Sequence, residues 1–77
     1  MNTLIEDAMK LEYLTSNGQW TKTAAAGMNF GATATALAFA EQQPIDQFDI
    51  VGYFPANKQI IYLVHGRGKG VPKTSKV

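Results

Sequence analysis

The chain has 77 residues, seven basic and six acidic side chains, one histidine, no cysteine and a net charge of +1. A chain this short makes one domain with a thin core, burying about 60–65% of the surface it exposes unfolded, and without cysteine neither a disulfide nor a thiolate metal site reinforces it. No run approaches the ~20 apolar residues of a membrane-spanning helix, so no membrane partner is expected.

Residues 1–9 form an amino-terminal segment in which Leu4, Ile5, Ala8 and Met9 fall at i, i+1, i+4 and i+5. That spacing fits the apolar stripe of a short helix. Its acidic start, with Glu6 and Asp7 and no basic leader, argues against a signal peptide. With the lack of cysteine, this makes a cytoplasmic location the expectation.

Residues 10–23 read as a hairpin around Asn17-Gly18, two residues that tolerate the positive φ of a two-residue type I′ turn. Such a turn sets Ser16 opposite Gln19, Thr15 opposite Trp20 and Tyr13 opposite Lys22. Tyr13 and Trp20 would then lie diagonally on one face. Residues 24–31 are an uncharged connection anchored by Phe30.

A helix is predicted over residues 33–43, with Thr33, or alternatively Thr35, as its N-cap and Pro44 as its stop. Alternating Ala34, Ala36, Ala38 and Ala40 mimic a strand, but alanine is the best helix former and a poor strand residue. Small alanines permit close approach to a sheet, with Leu37 and Phe39 as the expected insertions. Residues 48–64 form the most apolar stretch, a second hairpin around Pro55-Ala56-Asn57-Lys58. Both of its faces are largely apolar. One is expected to meet the helix, and the other the amino-terminal segment or a second subunit. Residues 66–77, with three alternate glycines, are expected to turn and then trail as a flexible basic tail.

The predicted architecture is therefore α+β: a four-stranded, mostly antiparallel sheet in ββαββ order with one helix on a face. Residues 10–65 form the domain. The two hairpins, the Gln-Trp strand, the Ala-Leu-Ala-Phe-Ala helix and the final Leu-Val-His-Gly-Arg-Gly resemble small uncharacterised bacterial and phage proteins of ββαββ order. That resemblance implies a topology and no catalytic residues.

Chemistry-bearing patterns are sparse. One histidine, no cysteine and six scattered carboxylates offer no set of three or four converging metal ligands. His65 is expected to be satisfied by backbone or water, and the glycine-rich stretch matches neither a phosphate loop nor a dinucleotide fingerprint. No nucleophile has a visible base and orienting group beside it. No catalytic residue, cofactor or metal is expected, and enzyme activity is the least favoured class.

The leading expectation is a non-catalytic protein-interaction module, binding itself as a homodimer or another protein. Its interface is expected at Val51, Tyr53, Ile61 and Leu63, or on the opposite set Ile50, Phe54, Ile60 and Tyr62. The alternative rests on charge asymmetry. Six acids and two lysines precede Lys58, whereas Lys58, Arg67, Lys69, Lys73 and Lys76 follow with no acid. These five cations could make weak, non-specific phosphate contacts with nucleic acid, strongly dependent on salt.

Overall fold

A computed structural model describes residues 1–68. Five strands form one antiparallel sheet: β1 (Asn2–Asp7), β2 (Glu12–Leu14), β3 (Trp20–Thr21), β4 (Gln47–Phe54) and β5 (Gln59–Arg67). Helix α1 (Thr33–Ala40) and a 3₁₀ turn (Ala24–Ala26) lie between β3 and β4. The spatial order is β3-β2-β1-β4-β5.

The four-stranded expectation is thus corrected to five strands, in βββαββ order. The additional strand is β1, from the segment whose spacing suggested a helix. Thr3-Leu4-Ile5 satisfies both readings, because a strand buried on both faces shows a continuous apolar run rather than alternation. Tertiary context decides. β1 lies between the two hairpins, pairs with β4 over all six residues from Asn2↔Tyr53 to Asp7↔Phe48, and buries five of the six. A helix of that length would bury one stripe and leave both hairpins with open edges.

Asp7 also builds the turn into β2. Its Oδ1 accepts the amides of Met9 (2.9 Å) and Lys10 (3.2 Å), and its carbonyl accepts the Leu11 amide at 2.7 Å. Leu11 takes φ +57 there while its side chain is exposed. A left-handed leucine costs about 1–2 kcal/mol relative to ordinary backbone.

The β2–β3 hairpin differs from expectation by one residue. Leu14 pairs with Trp20 and Tyr13 with Thr21. Only Gly18 of the turn has positive φ (+83), so the two-residue turn, which needs two such residues, does not form. Thr15 closes a longer loop instead: its amide donates to the Gln19 carbonyl at 2.8 Å, and its Oγ1 receives the Gln19 amide. Asn17 Oδ1 accepts from the Thr15 hydroxyl and the Gln19 amide. The one-residue change puts Trp20 on the helix side with Leu14, and Tyr13 on the other side with Thr21.

Beyond β2, the connection to the helix covers the remaining edge of β1. The Phe30 amide donates to the Thr3 carbonyl (2.8 Å), the Thr3 amide to Asn29 Oδ1 (2.9 Å) and the Met28 amide to the Leu14 carbonyl (2.8 Å). The helix itself is shorter than predicted. Ala32, not Thr33, is its N-cap and makes no side-chain cap. At the other end Gln42 and Gln43 bond to carbonyls three residues back, a tightened last turn ahead of Pro44. Ala36 and Ala40 are its buried contacts, whereas Leu37 is half-buried and Phe39 lies outside, 5.2 Å from the Phe30 ring. The alanines bring the helix so close that the larger side chains are displaced to its flanks.

Two apolar clusters hold the sheet. On the helix side Ile5, Leu14, Phe48 and Ile50 meet Ala36 and Ala40. On the opposite side Leu4, Tyr13, Val51 and Tyr53 pack together, flanked by Ala24 of the 3₁₀ turn and Ile60. A bulge sorts β5 between them. Ile50 pairs with Val64 but Val51 with Tyr62, so Leu63 is the extra residue. Gly66 then crosses the Phe48 ring, where a Cβ would come within 2.7 Å of Cζ. β5 continues to Arg67, through part of the glycine stretch for which a turn was expected.

Candidate interaction surface

β5 forms one edge of the sheet. It pairs along its length with β4, and its outer backbone has no neighbouring strand among the described residues. Nine residues make it about 30 Å long at ~3.3 Å per residue. From Gln59 to Val64 it carries no charge, and Ile61 and Tyr62 are exposed. An unpaired edge of this kind presents a row of N–H and C=O groups to another chain, the usual template for strand addition.

The expected interface residues do not share one exposed face. Val51 and Tyr53 are buried within the chain, Leu63 is half-buried at the bulge, and Ile61 alone of that set is exposed. In the opposite set Ile50 is buried, Phe54 and Ile60 are half-buried and Tyr62 is 64% exposed. The 3₁₀ turn and β1 supply cover that was not legible without the fifth strand, and the bulge separates Ile61 from Val51. What remains accessible is the edge rather than either face.

Lys58 and Arg67 lie at opposite ends of β5, so they do not make one cationic patch. Lys69, Lys73 and Lys76 lie outside the described residues. The acidic side is more organised. On the face away from the helix, a row of side chains crosses all five strands: Thr21, Tyr13, Glu6, Asp49 and His65, each paired with the next. Directly paired side chains stand about 5 Å apart at Cβ. His65 Nδ1 lies 2.6 Å from Asp49 Oδ1, so a carboxylate, not backbone or water, is its partner. This pair clasps the outer strand to β4.

Glu6 occupies the centre of the row at 2% exposure, and its Oε1 has no hydrogen-bond partner among the described residues. Burial, then the neighbouring Asp49 charge, pushes its carboxyl above the ordinary value, with Asp7 adding to the rise. The Tyr13 and Tyr62 hydroxyls oppose that shift by favouring the charged form. Their own ionisation is suppressed in turn. Tyr13 is pushed up to about 12, by burial first and then by Glu6, and Tyr62 is raised chiefly by the Glu6 charge. Glu6 escaped the sequence reading because only a strand register places it opposite Asp49.

A separate cleft of about 430 Å³ lies between the β1–β2 turn, the β2–β3 loop and the segment after the helix. Trp20, Met9, Pro44 and Ile45 give it apolar walls, with Asp7, Glu12 and Asp46 at its polar side. Asp7 is engaged by its own turn, and Glu12 faces Lys22 at 3.8 Å.

No family model matches the chain, and no curated protein or solved structure matches it. No matching protein supports the expected likeness to bacterial and phage proteins; the chain is a small domain of β-β-β-α-β-β order. Among the described residues no helix is long and apolar enough to cross a membrane.

Proposed function

We propose that the chain is a protein-interaction module that self-associates by pairing its β5 edge with β5 of a second copy. The observation that carries this reading is a nine-residue edge strand whose uncharged portion exposes Ile61 and Tyr62. Antiparallel pairing of like strands is isologous, so each copy offers the same edge and the assembly closes as a dimer. The two sheets become one, and the unpaired backbone groups of each β5 gain partners without displacing any described strand.

The neighbouring edge chemistry fits this use. Charged side chains that blunt exposed strands occur here at the ends, at Lys58 and Arg67, and not in the run between Gln59 and Val64. The Leu63 bulge divides that edge, setting residues 59–62 apart from residues 64–67.

Sedimentation of the wild type and of Ile61→Lys and Tyr62→Lys tests the reading. The wild type should be dimeric at ~100 µM and dissociate on dilution, with thermal stability falling as it does. Each lysine variant should sediment as a folded monomer. A wild type that stays monomeric with concentration-independent stability contradicts the proposal.

A further inference from the structure

The buried Oε1 of Glu6, unpartnered among the described residues, points to a second site, on the broad face beside the edge-pairing surface and sharing Tyr62 with it. An unpaired buried acceptor is destabilising, and more so when charged. The groups facing it are Tyr13 from β2, Asp49 from β4 and Tyr62 from β5, with His65 beyond Asp49; the 3₁₀ turn contributes alanines alone. Both salt bridges among the described residues, Lys22–Glu12 and His65–Asp49, leave Glu6 out. The row therefore concentrates negative charge and π-electron faces, with no cation at its centre among the described residues.

We propose that the Glu6–Asp49 carboxyl pair, walled by Tyr13 and Tyr62, binds a primary ammonium group. Three features select that chemistry. Among the described residues no three acidic or imidazole side chains converge as a metal ion requires. A guanidinium is best held by both oxygens of one carboxylate in a plane, whereas here Oε1 is the orphan and the phenols attend the same carboxyl. An ammonium carries three donors on a compact centre, matching Glu6 Oε1, Asp49 and a tyrosine hydroxyl, and it gains further from an aromatic face. Tyr62, at 64% exposure, is the mobile wall, because exposed side chains change rotamer within nanoseconds.

Capture requires the ionised carboxyl, so ammonium and proton compete for Glu6. Burial and Asp49 favour the protonated form. Affinity should therefore rise with pH until Glu6 is fully ionised.

The test is an amide-resolved NMR titration of the full chain with methylammonium chloride, against matched sodium chloride and tetramethylammonium chloride. Saturable shifts centred on Glu6, Asp49 and Tyr62, with a Kd of order millimolar, are expected from methylammonium alone. They should weaken as the pH falls toward 4.5, the ordinary carboxyl value. Glu6→Gln should bind at least about tenfold more weakly, the loss of one charge-assisted hydrogen bond. Tyr62→Phe, which keeps the ring and removes the oxygen, provides an independent second variant and should weaken binding several-fold. N-acetyl-lysine-N-methylamide distinguishes the sources: tighter binding than methylammonium assigns the site to a lysine side chain, and equal or weaker binding to a free amine. No saturable shift up to ~100 mM, equal response to tetramethylammonium, or unchanged binding in both variants overturns the proposal. Sedimentation of Glu6→Gln, which leaves the β5 edge unchanged, is expected to match the wild type, so failure here leaves the edge-pairing result intact.

Discussion

The sheet ends differently on its two sides. At one edge β3 has two residues, and its hairpin is locked by Thr15 and Asn17 side chains, so little backbone is left open. At the other, β5 has nine residues, an exposed apolar run and no described strand beyond it. Length alone makes the difference consequential. A two-residue edge offers too few pairing groups to recruit a partner, while nine residues offer a full strand. The short edge closes the sheet, and the long edge leaves a full strand open to pairing.

The largest effect should come from disturbing the floor of the long edge. Gly66→Val sets a branched side chain against the buried Phe48 ring, already within 2.7 Å of an added Cβ. It should lower stability by about 3 kcal/mol, read as a reduced urea midpoint. Gly18→Val at the short edge meets no atom within 4 Å, so it carries the backbone penalty alone. About 1–2 kcal/mol is expected there. Equal losses at the two glycines would remove the distinction between a packing-limited and a conformation-limited edge.

Glu6→Gln probes the polar row that ties β5 inward. The native carboxyl titrates above the ordinary 4.5, so the folded state holds its proton more tightly than the unfolded chain does. Its favourable contribution is complete below about pH 4.5 and is lost as pH rises through the folded value. Glutamine removes that loss. The variant should be more stable at pH 7 by about 1 kcal/mol and should show a flatter stability–pH curve between pH 4.5 and 7. A steeper curve in the variant would contradict the assignment.

Leu11→Asn, at the turn next to the short edge, is the mildest. Asparagine tolerates the φ of +57 that leucine holds under strain, and stability should rise by about 0.5 kcal/mol. Melting temperature is the readout.

Legibility followed how local each signal is. The alanine-rich helix and the apolar hairpin are carried by propensity and turn chemistry within a few residues, whereas Asn17-Gly18 marks the place of a turn but not its length or register. β1 was hidden because Leu4-Ile5 followed by Ala8-Met9 satisfies a helical stripe as well as a doubly buried strand, and its neighbours in space are Tyr13 and residues 48–53. The polar row depends on that strand, on a hairpin register set by Thr15, and on a bulge at Leu63. Each moves side chains from one face to the other, so an error of one residue conceals the whole row. Phe39 shows the converse. Its size suggested the core, yet close approach of Ala36 and Ala40 leaves it 46% exposed. Aspartate should accordingly be less damaging at Phe39 than at half-buried Leu37.

The central claim is that the open β5 edge joins two copies, and sedimentation equilibrium of the wild type beside Ile61→Lys tests it most directly. The prediction is a reversible monomer–dimer equilibrium for the wild type, with the dimer dominant at ~100 µM, and a folded monomer for the variant at the same concentration. A monomeric wild type, or a variant that dimerises equally well, would contradict it.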